Sequence, residues 1–213
     1  MKKVFTFAAA ILLFAGIANA QLSVSAGYTS KNYKSTTTLG SKTTVKDYTL
    51  GGGFYLGGSY TMGMSDGLSF SPGLYFTYNT TKDVTYGVTT TVNTMDVNIP
   101  FLFSYSYSLG GDLSVFAFVG PNIQFGLSAQ EKVEGAGPLD GTYDMYAKDN
   151  NGESDYTRFD LGVMVGLGLQ YQNIRVQGGY HKGFLDRCGA KDGDNYSYEY
   201  AMSQIFVGVG IAF

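Results

Sequence analysis

His181 is the single histidine of this 213-residue chain. As a catalytic base it would need an acid to orient it and an activated hydroxyl beside it. Asp160 is the nearest acid in the pattern, flanked by Arg158 and followed by Arg175 and Arg187. Two cations around one carboxylate suit either of two tasks. They can be bridged into a buried plug, or ring a pore as a selectivity filter. Oxygen-rich runs, Asp144, Asp149, Glu153 and Asp155 in one place and Asp192 with Asp194 in another, could hold Ca²⁺. Neither has the spacing of a helix–loop–helix calcium site. Cys188 is the only cysteine, so there is no internal disulfide framework.

Composition limits the scaffold that could carry these groups. Thirty glycines exclude a mostly helical chain, since each costs roughly 1 kcal/mol inside a helix. Charged residues are 15% of the chain and aromatics another 15%, which excludes disorder. A net charge of -3 argues against nucleic acid as a partner, because phosphate recognition needs a basic face. No motif calls for a cofactor. Residues 1–20 have a basic start at Lys2-Lys3, an apolar stretch over 4–17 and an Ala18-Asn19-Ala20 close. This is the secretory signal pattern, too short to span a bilayer. One domain is expected over residues 21–213.

Beyond residue 20 the chain alternates with a period of two. At 159–171 the odd positions run Phe159, Leu161, Val163, Val165, Leu167, Leu169 and Tyr171, with glycine, Asp160, Met164 and Gln170 between them. On a helix that spacing would wind around every side, so it marks a strand. Similar alternation appears at 22–29, 48–62, 68–78, 97–107, 113–127, 174–182 and 205–213. Eight antiparallel strands follow, with tight turns near Ser65, Gly110 and Gln172-Asn173. Longer connections at about 30–47, 79–96, 128–158 and 183–201 are expected to be mobile loops. Pro100 and Pro121 each remove a ladder donor and are expected to share one bulge.

Charge placement decides which face meets which solvent. These eight segments hold only Asp160, Arg175 and Lys182. A soluble eight-stranded barrel of the lipocalin type would need its outer surface about 25–35% charged. The apolar face is therefore expected to point outward into lipid, where only a closed sheet or a helix satisfies the backbone. The fold class expected is all-β, an eight-stranded antiparallel up-and-down transmembrane β-barrel.

A family resemblance accompanies this reading. Asp96-Val-Asn-Ile-Pro-Phe-Leu-Phe103, Val119-Gly-Pro121, Arg158-Phe-Asp-Leu-Gly162 and Gly178-Gly-Tyr-His-Lys-Gly-Phe184 resemble the small outer-membrane β-barrels of Bacteroidota, the PorT-like group. OmpX-type barrels are more distantly similar. The resemblance implies an outer-membrane location among lipid and lipopolysaccharide. It also implies assembly by the barrel-assembly machinery, read from a terminal strand bearing Val209, Ile211 and Phe213.

With the barrel in hand, the polar residues can be ranked. The register set by the Gln172-Asn173 turn puts Met164, not a hydroxyl or an acid, opposite His181. The same register puts Arg158 opposite Arg187 with Asp160 one step inward, and Arg175 opposite Gln170. A packed lumen histidine and a charged plug are expected. The protein is then a non-enzyme that meets an extracellular partner at its loops or supports the envelope. A narrow channel is the second reading. A lipid A-modifying enzyme built on His181, as some small outer-membrane barrels are, is the third.

Overall fold

The computed structural model describes residues 20–39, 41–148, 154, 156–188 and 196–213. The strands, in chain order, are β1 (Ala20–Leu39), β2 (Lys42–Ser65), β3 (Leu68–Thr85), β4 (Val88–Gly110) and β5 (Leu113–Glu134). A 3-10 turn, Gly137–Leu139, leads to the short β6 (Gly141–Asp144). Then come β7 (Phe159–Tyr171), β8 (Ile174–Gly183) and β9 (Tyr196–Ala212). Each chain-adjacent pair in the ring is antiparallel, β4 pairs β5, β5 pairs β7, and β9 returns to β1. The eight long strands thus form a closed ring. β6 takes the edge of β5 at Gln130–Val133, beyond the last β5–β7 pair, Phe125↔Phe159.

The ring is turned inside out relative to a water-soluble protein. Val24, Leu56, Phe103, Val165, Leu167 and Ile211 stand exposed on the outside, while Asn98, Asn122, Gln124, Asp160 and His181 are buried within. A continuous apolar exterior of this kind calls for a lipid solvent. The alternation read from the sequence therefore has the expected polarity.

The inner face is not uniformly small and polar. Tyr55, Phe116, Phe118 and Phe206 form a buried aromatic layer, packed against Tyr75, Leu102 and Met164. Ring centroids lie 5.9 Å apart for Tyr55–Phe206, 6.2 Å for Phe116–Phe118 and 6.3 Å for Phe118–Phe206. Glycines make the room: Gly168 faces Phe116, Gly166 faces Phe118, Gly179 faces Phe206, and Gly27 with Gly208 face Tyr55. A methyl group at these positions would enter a ring or a neighbouring carbonyl. Much of the glycine content is therefore a packing requirement of a narrow barrel.

Three expectations need correction. The connections at 30–47 and 79–96 are not loops. β1 and β2 stay paired to Leu39↔Lys42, and β3 and β4 to Thr85↔Val88. The β2–β3 ladder nevertheless stops at Gly52↔Thr80, so two separately paired hairpins continue beyond the closed ring. The β3–β4 hairpin ends in Tyr86 (φ 50°) and Gly87 (φ 83°), the left-handed pair that a two-residue turn matching strand twist requires.

Second, the tight turns sit later than expected. Turns centred on Ser65 and Gly110 would pair Met62 with Leu68 and Val119 with Phe101, but Met62 pairs Phe70 and Val119 pairs Phe103. Two-residue turns at Asp66-Gly67 and Gly111-Asp112, each flanked by a bulge, at Gly63/Ser65 and at Ser108/Gly110, set these registers. Both shifts are by two residues, which leaves every side chain on its expected face. The Gln172-Asn173 turn falls where it was read, with Tyr171↔Ile174 and Met164↔His181 paired.

Third, Pro100 and Pro121 do not share a bulge. Pro100 faces Asn122 and Pro121 faces Val163, and the register is the same on both sides of the prolines. The β4–β5 irregularities lie instead at Met95/Asp96 and Ser108/Gly110.

Candidate functional site

Polar side chains inside the barrel are stacked in levels. At the long-hairpin end, the inward positions of β1 continue through Thr29, Lys31 and Tyr33, all buried. Lys31 donates its ammonium to the Asp96 carboxylate and to Thr94 Oγ1, the latter at 3.3 Å. Arg187, beyond the end of β8, brings Nη1 to 3.9 Å from the other Asp96 oxygen. Its Nε and Nη2 donate to the Thr157 carbonyl at 3.0 and 2.9 Å, and Nη2 also donates to the Tyr146 hydroxyl at 2.9 Å. One buried carboxylate thus bridges two cations, and the Thr157 carbonyl and Tyr146 hydroxyl accept from the second. Burial raises the pKa of the Tyr146 hydroxyl, so it meets Arg187 as a neutral acceptor.

The membership of this plug differs from the sequence expectation. Arg187 belongs to it; Arg158 does not. Past Gly162↔Gly183 the β7–β8 ladder ends, and the register that would set Arg158 against Arg187 lapses. Arg158 instead donates to the carbonyls of Gly126 and Leu127, at 3.2 and 2.9 Å, and lies 4.3 Å over the Tyr146 ring. Asp160 is fully buried, but its Oδ1 accepts the Leu185 amide at 3.2 Å rather than an arginine.

Lys31 and Tyr146 were not singled out from the sequence, and Asp96 entered only as the first residue of a family motif, not as a plug residue. Parity could have found two of them. Lys31 continues the inward odd positions Ser23, Ser25, Gly27 and Thr29, and Asp96 continues the inward even positions Asn98 and Pro100. Their position outside the apolar segments hid them.

One level further in lies an amide layer. Asn122 Nδ2 donates to Asn98 Oδ1 at 3.1 Å and lies 3.2 Å from His181 Nε2. The Asn122 side-chain amide is thus the polar partner of the His181 ring. Asn98 Nδ2 reaches Thr77 Oγ1 at 3.3 Å, and Asn79 Nδ2 the Thr29 carbonyl at 3.3 Å. No hydroxyl or carboxylate hydrogen-bonds His181 among the described residues. Between this layer and the aromatic one is a cavity of about 40 Å³, lined in part by Tyr75, Thr77, Asn98 and Gln204. Small-molecule pockets are about 300–1,000 Å³.

Below the aromatic layer the barrel opens again. Arg175, on the inner face of β8, donates Nε to Gln170 Oε1 at 2.7 Å and packs 5.3 Å over the Phe116 ring. The pairing of Arg175 with Gln170 matches the sequence reading.

Other expected sites are more dispersed. Asp144 caps its own turn through the Tyr146 amide at 2.9 Å. Asp149, Glu153, Asp155, Asp192 and Asp194 lie outside the described residues, as do residues 1–19 of the expected signal segment. Cys188 is half-buried and pairs with Tyr156 in an isolated backbone bridge. Val209, Ile211 and Phe213 all point outward at the end of the chain.

Residues 14–187 match the outer membrane protein beta-barrel domain family. The chain belongs to that family. It is an outer-membrane β-barrel protein, and the apolar exterior is its lipid-facing surface. No curated protein matches it. Three solved structures illustrate the range of the barrel's similarity. A major outer membrane protein from Thermus thermophilus is 16% identical, with 91% of this chain and 99% of that one covered and a TM-score of 0.47. OprG from Pseudomonas aeruginosa is 12% identical, covering 91% and 96%, with a TM-score of 0.44. The Ail attachment invasion locus protein of Yersinia pestis is 14% identical, covering 91% and 99%, with a TM-score of 0.39.

Proposed function

We propose that this outer-membrane barrel is a closed, non-enzymatic scaffold that presents extended hairpins outside the cell to a partner or to the envelope. In this reading residues 1–20 are the export signal, the tight turns face the periplasm and the paired hairpins face outward, the usual asymmetry of such barrels. The sequence motifs at 96–103 and 178–184 favour a PorT-like barrel of Bacteroidota.

The observation that carries the proposal is that the lumen is filled at two levels. The Lys31–Asp96–Arg187 plug lies toward the hairpins and the aromatic layer of Tyr55, Phe116, Phe118 and Phe206 lies below it. A conducting pore needs a continuous hydrated path, and a lipid-modifying site built on His181 needs an acid or hydroxyl partner. Neither is provided by the contacts of these residues.

The test is single-channel recording of the refolded protein in a planar bilayer. A silent wild-type barrel is expected, with conductance emerging only when Asp96→Ala is combined with Phe116→Ala and Phe118→Ala. Steady conductance by the wild-type protein would overturn the closed reading. Loss of an acyl-transfer or hydrolase activity on lipid A in His181→Ala would overturn the non-enzymatic one.

A further inference from the structure

The tight-turn end of the barrel contains an open vestibule of about 610 Å³, whose lining includes Gln21, Thr61, Ser69, Ser106, Ser114 and Arg175. Apart from Leu68 its lining holds hydroxyls, amides and glycine, with one cation and no carboxylate. Asp66 and Asp112 lie in the turns at this end, and Asp112 accepts from Gln172 Nε2 at 2.9 Å.

Arg175 is held in place from two directions. Gln170 Oε1 takes its Nε–H, Gln170 Nε2 is fixed in turn on the Gln172 carbonyl at 2.9 Å, and the Phe116 ring supports the guanidinium plane. Among the described residues, no hydrogen bond engages either terminal nitrogen of Arg175. A guanidinium whose Nε side is already used retains the two-pronged edge that fits carboxylate and phosphate oxygens. Because its orientation is fixed by packing, little side-chain freedom remains to be lost on binding. The surrounding hydroxyls can donate to the remaining oxygens of an anion.

We propose that this vestibule is a periplasm-facing binding site for a small soluble oxyanion, a carboxylate or phosphate, with Arg175 as its anchor and Gln170 as the residue that positions it. The aromatic layer forms the ceiling, so the ligand enters and leaves by the same mouth and does not cross the barrel. Lipid headgroups lie outside the barrel wall, which favours a soluble ligand.

The probe is inorganic phosphate, with succinate in parallel. Each is titrated into the folded protein in detergent micelles while the Nε–H resonance of Arg175 is followed by NMR. A saturable shift with Kd of about 1 mM is expected for a single preorganised charge pair. Arg175→Gln, monitored through the side-chain amides of Gln170, should weaken binding at least about tenfold. Arg175→Lys, which keeps the charge but loses the fork, should weaken it less. Arg158→Gln, at the opposite end, should leave it unchanged. Resistance to SDS before boiling verifies that each variant is folded. The proposal fails if the wild-type resonance does not saturate, or if folded Arg175→Gln binds as tightly as wild type. It also fails if only anionic lipid in a nanodisc, and neither soluble anion, shifts Arg175.

Discussion

Asp96→Ala is the most informative single substitution, because it separates the role of a buried charge from that of the space it fills. Asp96 and Lys31 are both essentially inaccessible, at 1% and 0% exposure. Arg187 is equally buried, and its Nη1 lies 3.9 Å from the second Asp96 oxygen. Removing the carboxylate strands two cations together, and loss of one partner from a buried pair costs about 3–5 kcal/mol. At about 1.4 kcal/mol per factor of ten, the folding equilibrium should fall by roughly a hundred- to several-thousand-fold.

Replacing the pair together, Lys31→Met with Asp96→Leu, leaves one buried cation, Arg187, where Asp96→Ala leaves two. Arg187 keeps the Thr157 carbonyl and the Tyr146 hydroxyl as acceptors. The double variant should therefore be clearly more stable than Asp96→Ala, as replaced ion pairs often are. The assay is urea unfolding in lipid vesicles, read by gel mobility before and after heating, since the chain has no tryptophan to report fluorescence. If Asp96→Ala lay within about 0.5 kcal/mol of wild type, the range of ordinary surface changes, the plug would be a solvated pair and the reasoning would be refuted.

Further outcomes follow from other layers. Gly166→Val should destabilise the barrel by about 1–3 kcal/mol through overpacking against Phe118 and the Gly178 carbonyl, measured by the same urea titration. Leu167, which is 67% exposed on the apolar exterior, should cost about 2–4 kcal/mol as Leu167→Lys if it faces the bilayer midplane. Val84→Lys, on the hairpin beyond the closed ring, should stay within about 0.5 kcal/mol; equal effects at the two sites would place the membrane boundary elsewhere. Shortening the β3–β4 hairpin by deleting residues 83–90 should leave the folded gel band intact. Deleting 141–157, which removes Tyr146 and Thr157 from Arg187, should lower the temperature at which that band is lost.

Alternation was legible in the sequence wherever lipid enforces it. Between Phe159 and Tyr171 one face must be apolar, and the eight-strand count follows from such segments. Beyond the bilayer both faces of a strand can be polar, so β1 past Thr29 and β4 before Val97 carry no period-two signal and resemble loops. That is why neither Lys31 nor Asp96 was placed in the plug, although parity extends to both. The two shifted turns have a different cause. Several glycines and aspartates compete to be the corner near Ser65 and Gly110, and a shift of two residues preserves every side-chain face. Periodicity cannot detect such a shift. Arg158 was misassigned because a register was extended past Gly183, where the chain leaves the ladder and hydrogen bonding to the Gly126 and Leu127 carbonyls decides its position instead.

The seam between β1 and β9 also bears on how the molecule forms. It runs unbroken from Ser23↔Ala212 to Leu39↔Tyr196, joining the two most distant parts of the described chain. Every other ladder of the ring links strands adjacent or nearly adjacent in sequence and can form as a hairpin; this one cannot begin until β9 has been made. Contacts of such long sequence separation are slow to form. Until they form, β1 and β9 are open edges able to pair with another chain. Synthesis and closure are therefore separate events, and a nascent chain needs protection during the interval between them.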